Sequence, residues 1–364
     1  MTIVLPVMAG IGNAIMTVPL ARALGRRGTL CVAAGSGAIA DVFGRLPEVS
    51  RVETLPKGLA GLRAHRRLCR ELRPDAYVLP FPANRWQYTA LALTSGASHI
   101  MMHRYPVGHW STGRALLRRV KSVEATRGIH DVEQNLQLLK NIDSSCGSPT
   151  RSRDSEELRV EDPQLTDVAP TFPLSDDERG AAQAVGEGFV ALQAGCANTP
   201  VGRAKRLPPK TWAKVVDALA QAGKRVVLVE GPDERGVGET VAALCDAKPT
   251  VLPLTGTLGE SAAMLERVKL FVGVDSGLGH VAAAVGTPVV SVFAAADPDR
   301  VCPFGHRDLV VAPRDANGLA WRPRALYPMD AAGPKLRDDG VDWPAHVHAD
   351  DIVDRAQLAL RDPR

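Results

Sequence analysis

The chain carries little net charge, has no long uninterrupted apolar run, and its few cysteines lack paired spacing. Lys and Arg number 44 against 40 Asp and Glu, a formal charge of +4 over 364 residues. That is too little for the domain-wide basic face that nucleic-acid binding requires. The longest apolar stretch, Leu270 to Ala296, is interrupted by Asp275, His280 and Pro288, so no window of about 18 residues in it has the unbroken apolarity of a membrane helix. The opening MTIVLPVMAGIGNAIM has no Lys or Arg before its apolar run and is broken by Pro6, Gly10 and Gly12, unlike a secretory signal; the chain is expected in the cytoplasm. Cys31, Cys69, Cys146, Cys196, Cys245 and Cys302 form no C-x-x-C pair, which reads as reduced thiols rather than a disulfide frame or zinc site. No metal or other cofactor is expected.

What is present fits a globular α/β protein. Hydrophobic residues make up 45% and charged residues 23%, with 33 Gly and 27 Pro to supply tight turns. The length suits two domains of roughly 100–200 residues each. In the first half, apolar runs (TIVLPV, TLCVAAG, AYVLP) alternate with helical patterns over Ala14–Arg26, from Ala38, and over Leu59–Arg73. Strands that read as continuous apolar runs, separated by helices, predict a parallel sheet covered on both faces. From Asp143 to about Ser175 the text is rich in Ser, Pro, Asp and Arg without a sustained period, which places a domain boundary there. The rhythm then restarts. Helices are expected from Ser175, over Pro209–Ala222, Pro232–Cys245, Leu258–Arg267 and Gly279–Val285, with strands FVALQ, RVVLVE, TVLPL, LFVGV and PVVSVF between them. The segment Asp315–Val347 reads as irregular and the end from His348 as an amphipathic helix. Two doubly wound domains leave a cleft where ligands sit at strand carboxyl ends.

Three segments carry chemistry. In Met8–Leu20, Gly10 and Gly12 let the first strand turn sharply into the first helix and expose backbone amides to polar or anionic groups. A dinucleotide fingerprint is incomplete here, because its third glycine falls at Ile15 and the acidic residue about 20 positions on has no counterpart. That argues against an NAD oxidoreductase; a tight turn without ligand is the plain alternative. In Ala194–Trp212 a small-residue loop containing Gly195 leads to Arg203, Lys205 and Arg206 just before a helix that opens on Pro208 and Pro209, suiting a diphosphate or a solvated basic loop. In Gly273–Val289, Asp275 and Ser276 end an apolar strand, Gly277 and Gly279 permit close approach, and His280 returns one helical turn later. That loop either donates amides to phosphate or is a helix start capped by Asp275 or Ser276.

GIGNAIMTVPLARAL from Gly10, AKRLPPKTW from Ala204, LTGTLGE from Leu254 and, above all, GVDSGLGHVAAAVGTP from Gly273 together resemble the ADP-heptose:lipopolysaccharide heptosyltransferases, glycosyltransferase family 9. The resemblance is dense from Val190 to Phe293 and covers the first domain mainly in its opening residues. It implies an α/β GT-B fold, two Rossmann-like doubly wound domains facing a central cleft: acceptor-binding residues 1–165, donor-binding residues 166–345 and a C-terminal helix at 346–364. It implies inverting transfer of heptose from ADP-heptose, with no required metal. Lys205 resembles the lysine that contacts donor phosphate, and Asp275, Ser276, Gly277 and His280 its donor-binding D-[ST]-G-x-x-H loop. Glu230 or Glu234 is similar to the ribose-contacting acid, and Thr255, Gly256 and Leu258 to the turn bordering the nucleotide. Gly195 and Arg206 complete the expected donor set. Asn13, Lys205 and Asp275 are the expected catalytic positions, and Gly10, Gly12, Asn13, His103 and His109 the acceptor side.

One departure bears on mechanism. The family carries Asp after the second glycine of the first loop, as general base; this chain has Asn13. An amide orients an acceptor by hydrogen bonds but takes no proton near neutral pH. Three readings follow: another base such as His99, His103, His109 or a carboxylate; an acceptor such as an amine that needs less help; or a nucleotide-sugar-binding protein without transfer. A GT-B nucleotide-sugar epimerase is a further alternative. Arg63, Arg66, Arg67, Arg70 and Arg73 crowd one helix, and Gly113–Lys121 is a short basic amphipathic stretch. Either meets an anionic acceptor or a membrane surface, or is a solvated helix face.

Overall fold

A computed structural model of the chain describes residues 1–8, 10–105, 119–143, 168–183, 186–316, 318–326, 328, 330 and 335–361. His109, the stretch Gly113–Arg118 and most of the expected linker lie outside them. The chain forms two units: Met1–Pro170 with Tyr327–Gly333, and Thr171–Leu326 with Pro334–Arg364.

In the first unit the order is β1 (Thr2–Val7), α1 (Ile11–Gly25), β2 (Thr29–Ala34), α2 (Gly37–Gly44), β3 (Arg51–Thr54), α3 (Gly58–Leu72), β4 (Ala76–Val78), α4 (Trp86–Leu93), β5 (His99–Arg104), β6 (Val120–Glu124), α5 (Asp131–Leu136) and α6 (Lys140–Asp143). The strands pair in parallel in the order β3-β2-β1-β4-β5-β6. Ile3 to Val7 of β1 and all of β4 are buried, which is why they read as unbroken apolar runs instead of alternating ones. Val4 lies between Cys31 and Tyr77, and these three share one core with Leu68, Leu79 and Ile100. The order reverses at β1, so the carboxyl ends of β1 and β4 flank a topological switch point. Helix α1 starts directly after Gly10, with no side-chain cap.

The second unit runs α7 (Asp176–Ala182), β7 (Val190–Gln193), α8 (Pro200–Arg203), α9 (Pro209–Gln221), β8 (Val226–Glu230), α10 (Val237–Ala242), β9 (Thr250–Pro253), α11 (Leu258–Glu266), β10 (Leu270–Val274), α12 (Gly277–Ala284), β11 (Val289–Val292), α13 (Pro298–Val301), β12 (Val310–Val311) and α14 (Ala349–Arg361). Its parallel sheet, β12-β11-β10-β7-β8-β9, repeats the first unit's order with the switch point between β7 and β10. Helix α7 opens with a capping box in which Ser175 and Glu178 bond each other's backbone N–H. The helix expected over Pro232–Cys245 is broken: a 3-10 turn at Pro232–Glu234 is followed by α10, with Gly236 between them at φ 86, a backbone region that favours glycine. The expected separation of residues 346–364 does not hold. Ile352, Ala356 and Ala359 of α14 are buried in the same core as Trp212, Val216 and Val292, so the helix is part of the second unit. The two units part at Pro170/Thr171, and the expected bound at 165/166 lies outside the described residues.

Candidate functional site

In the second unit, three of the expected residues meet beyond the carboxyl ends of β7 and β10. Asp275 follows β10 directly and is 7% exposed; the Lys205 ammonium lies 2.6 Å from its Oδ2 and donates to its backbone carbonyl at 3.2 Å. Ser276 is the residue before α12, but its hydroxyl does not cap that helix. It donates to Gln193 Oε1 at 2.6 Å, at the end of β7. The first N–H groups of α12 therefore lack a side-chain partner from Ser276 or Asp275, and the capping role expected for those two is not taken up. An uncapped helix N-terminus beside a lysine is electrostatically suited to an anion. His280, one turn in, is buried.

A chain of polar contacts extends from Ser276. Gln193 Nε2 donates to Glu234 Oε1, which also accepts from the Gly231 N–H at 2.9 Å. Glu234 Oε2 is buried without a hydrogen-bond partner and faces Gly195 so closely that a Cβ there would overlap it. Burial pushes the Glu234 carboxyl above its ordinary value; the Gln193 amide, the Gly231 N–H and the Arg206 guanidinium oppose the rise and Glu230 adds to it. The structure separates the two acids that the sequence left open. Glu230 receives the backbone N–H groups of Gly236 and Gly238 at the start of α10, so its carboxylate is spent on the fold, whereas Glu234 points toward the switch point. Arg206 donates to the Cys196 carbonyl at 2.6 Å, bracing the loop after β7. Thr255 and Gly256 are exposed beyond edge strand β9; Thr257 and Glu260 form a capping box, and Leu258 opens α11.

The first unit's switch point is different in kind. Asn13, in the first turn of α1, shares a small cleft with Met8, Thr17, Phe81, Pro82 and Tyr88. Its backbone carbonyl accepts from the Thr17 hydroxyl at 2.7 Å. Gly10 is exposed and Gly12 half-buried on the approach to this cleft. His103 does not reach it. The ring is 1% exposed, pairs with the Gln134 carbonyl at 2.8 Å and stands edge-on behind Phe81 with centroids 5.3 Å apart. Burial lowers its pKa to about 4, against the Gln134 carbonyl, so it is a neutral support for the cleft wall and not an acceptor contact. His99 opens β5 at the amino end of the strand, on the sheet edge opposite the cleft. His109 lies outside the described residues.

Two residues that the sequence reading passed over organise these sites. Gln193 is the polar last residue of an apolar strand, 4% exposed, and links Ser276 to Glu234. Its signal was a polar side chain ending FVALQ. Asn135 of α5 is buried, accepts from the Phe81 N–H at 2.7 Å and contacts the Met16 carbonyl at 3.5 Å, tying the β4 loop to α1. Nothing local distinguishes it in sequence. Among the described residues no group of three His, Cys, Asp or Glu side chains is placed to hold a metal ion, and no helix is long and apolar enough to cross a membrane.

The family model for glycosyltransferase family 9 (heptosyltransferase) matches residues 66–318. The chain belongs to glycosyltransferase family 9. It is 44% identical over 93 residues to lipopolysaccharide heptosyltransferase 3 of Escherichia coli K12, covering 24% of this chain and 26% of the relative. A longer match, to lipopolysaccharide heptosyltransferase 2 of the same strain, is 26% identical over 282 residues, 74% of this chain and 75% of that one. The solved E. coli ADP-heptose LPS heptosyltransferase II superposes with a TM-score of 0.68 at 20% identity, over 99% of both chains. The two Rossmann-like sheets are those of the GT-B fold of this family.

Proposed function

We propose that this chain is an inverting glycosyltransferase that takes heptose from ADP-heptose. The observation that carries the reading is the Lys205–Asp275 pair beside the uncapped N-terminus of α12, at the switch point of a Rossmann-like sheet. An acceptor nucleophile displaces the diphosphate at the anomeric carbon, the C–O bond breaks, and charge grows on the leaving phosphate. Lys205, Arg206 and the first amides of α12 are suited to stabilise that charge, and Asp275 holds the lysine in place beforehand. Glu234 is the better candidate for the nucleotide ribose, since Glu230 is occupied by backbone. The acceptor belongs in the Asn13 cleft, and the buried free thiols of Cys31, Cys69, Cys196, Cys245 and Cys302 suit a reducing cytoplasm.

Titration calorimetry with ADP, UDP, GDP, dTDP and NAD tests the donor. Selective ADP binding that weakens at least tenfold in Lys205→Ala is expected; preference for another nucleotide overturns the donor, and binding of NAD alone overturns the reading. Asn13 separates transfer from mere binding. It orients an acceptor hydroxyl but takes no proton, so Asn13→Asp is expected to raise ADP release with hydroxyl acceptors by about 10²–10⁴-fold. Wild-type chain that binds ADP-heptose and releases no ADP with any acceptor would make it a silent nucleotide-sugar-binding protein.

A further inference from the structure

The cleft at the first unit's switch point combines an apolar, partly aromatic wall with the lack of any group that takes a proton near neutral pH. Met8 follows β1, Asn13 and Thr17 stand on α1, Phe81 and Pro82 on the loop after β4 and Tyr88 on α4, around about 300 Å³ that includes the open mouth. That is at the small end of ligand sites and suits a single ring. The Phe81 side is held in place: Asn135 accepts from the Phe81 N–H at 2.7 Å, the Tyr105 hydroxyl accepts from the Ala83 N–H at 2.8 Å, and the Phe81 ring stacks on Tyr105 with centroids 5.8 Å apart. Among the described residues that line the cleft there is no Asp, Glu, His, Lys or Arg. The Thr17 hydroxyl is spent on the Asn13 carbonyl, and burial raises the Tyr88 pKa against the opposing charge of Arg85, so neither serves as a base. What the cleft offers a polar atom is the Asn13 carboxamide, in the first turn of a helix whose start has no side-chain cap.

We propose that the acceptor is a phenol, its ring packed against Phe81 and Tyr88 and its hydroxyl oxygen met by the Asn13 amide N–H. The inference rests on the proposed transfer reaction and on the Asn13 cleft as its acceptor side. A phenol needs no protein base: with a pKa of about 10, about one molecule in 10³ is already phenolate at neutral pH, whereas an alkyl hydroxyl as weakly acidic as water, near 16, supplies about one in 10⁹. The positive end of α1 and the amide donors of Asn13 favour that anion, and a carboxylate at the same place would repel it. The proton passes to water at the mouth of the cleft, the phenolate oxygen bonds to the anomeric carbon, and the bond to the diphosphate breaks with its electron pair leaving on ADP. A flat ring also gains from the aromatic lining in a way that a sugar covered in hydroxyls does not.

The first arm of the test needs no donor, so a failure of the ADP-heptose reading leaves it standing. Saturation-transfer NMR on the full chain should show 4-methylphenol binding more tightly than cyclohexanol, a ring of like size without the acidity or the flat face. Tyr88→Ala should weaken that binding about tenfold with ADP affinity unchanged, and Tyr88→Phe, which keeps the ring, should recover it. In the second arm, ADP release from ADP-heptose should be at least 10²-fold faster with 4-methylphenol than with cyclohexanol or methyl glucoside. Asn13→Asp should act with opposite signs, raising the rate with cyclohexanol, for which it supplies a base, and lowering it with 4-nitrophenol above neutral pH, where that acceptor is already an anion. N-acetyltyrosinamide beside 4-methylphenol distinguishes a tyrosine side chain from a free phenol, and turnover of either supports the assignment. Phenol binding indifferent to Tyr88, equal rates with phenols and alkyl alcohols, or ADP-heptose bound without ADP release on any phenol overturns it.

Discussion

The two units share one sheet order and differ in what stands at the switch point. In the second unit β7 and β10 end in charged and polar groups that hold one another: Lys205 on Asp275, Ser276 on Gln193, Gln193 on Glu234. In the first, β1 and β4 end in a cleft of Met8, Phe81, Pro82 and Tyr88 around a neutral amide, Asn13, backed by the buried ring of His103. The same topology creates the crevice in both, so the chemistry is set by a few residues at strand ends, not by the fold. An ion pair with an open helix end suits a charged leaving group, and an apolar cleft with one amide suits orientation of an uncharged partner.

Acidification should break the symmetry most strongly. Burial lowers His65 and His103, both in the first unit, from 6.5 to about 4. A histidine with a depressed folded pKa gives its full stabilisation above its unfolded value and loses it as pH falls toward the folded one. The loss is on the order of 3 kcal/mol for each ring between pH 6.5 and about 4. Peptide-resolved hydrogen exchange across that range should show β1–β5 opening before β7–β11, and simultaneous opening would contradict the assignment. Next in size is Asp275→Ala, which leaves the half-buried Lys205 ammonium without its counter-charge at a cost of about 3 kcal/mol. A drop in the urea midpoint, with exchange accelerated only in the second unit, is the expected readout.

Gly195→Ala sharpens the contrast at smaller scale. Its Cβ would lie 2.9 Å from Glu234 Cβ and overlap the carboxylate, so an overpacking loss of about 1–3 kcal/mol is expected in chemical unfolding; a neutral result would mean that Glu234 swings away freely. Glu234→Gln gives the smallest effect and the opposite pH sign to the histidines. A carboxyl whose folded pKa is raised contributes most below its ordinary value of 4.5 and loses that contribution as pH rises. The glutamine variant should therefore be the more stable chain at neutral pH and lose that advantage below the carboxylate range, as read by thermal unfolding at several pH values.

Much of this was legible along the chain. Buried parallel strands read as continuous apolar runs because both of their faces are covered, so β1, β2, β7, β8 and β10 were visible as such. The D-S-G-L-G-H segment and Lys205 were visible because glycines and charges at a strand end are unusual in an otherwise apolar context. Helix ends were less legible. Gly236 broke the expected helix after β8 at a point where periodicity alone continued through it, and α12 begins at Gly277, two residues earlier than expected.

The sequence by itself determined the α/β rhythm, the glycine turns at strand ends, the uneven distribution of arginine along α3 and the presence of an amide, Asn13, just after the first glycine turn, since each is a property of residue type and near-neighbour spacing. Only the tertiary structure decided which acid faces the second switch point, that Gln193 joins Ser276 to Glu234, and that His103 stands behind the cleft wall. Those outcomes depend on which strands lie side by side. Strand order brings residue 193 next to residue 276 and residue 81 next to residue 135, and no local pattern encodes a pairing across that distance.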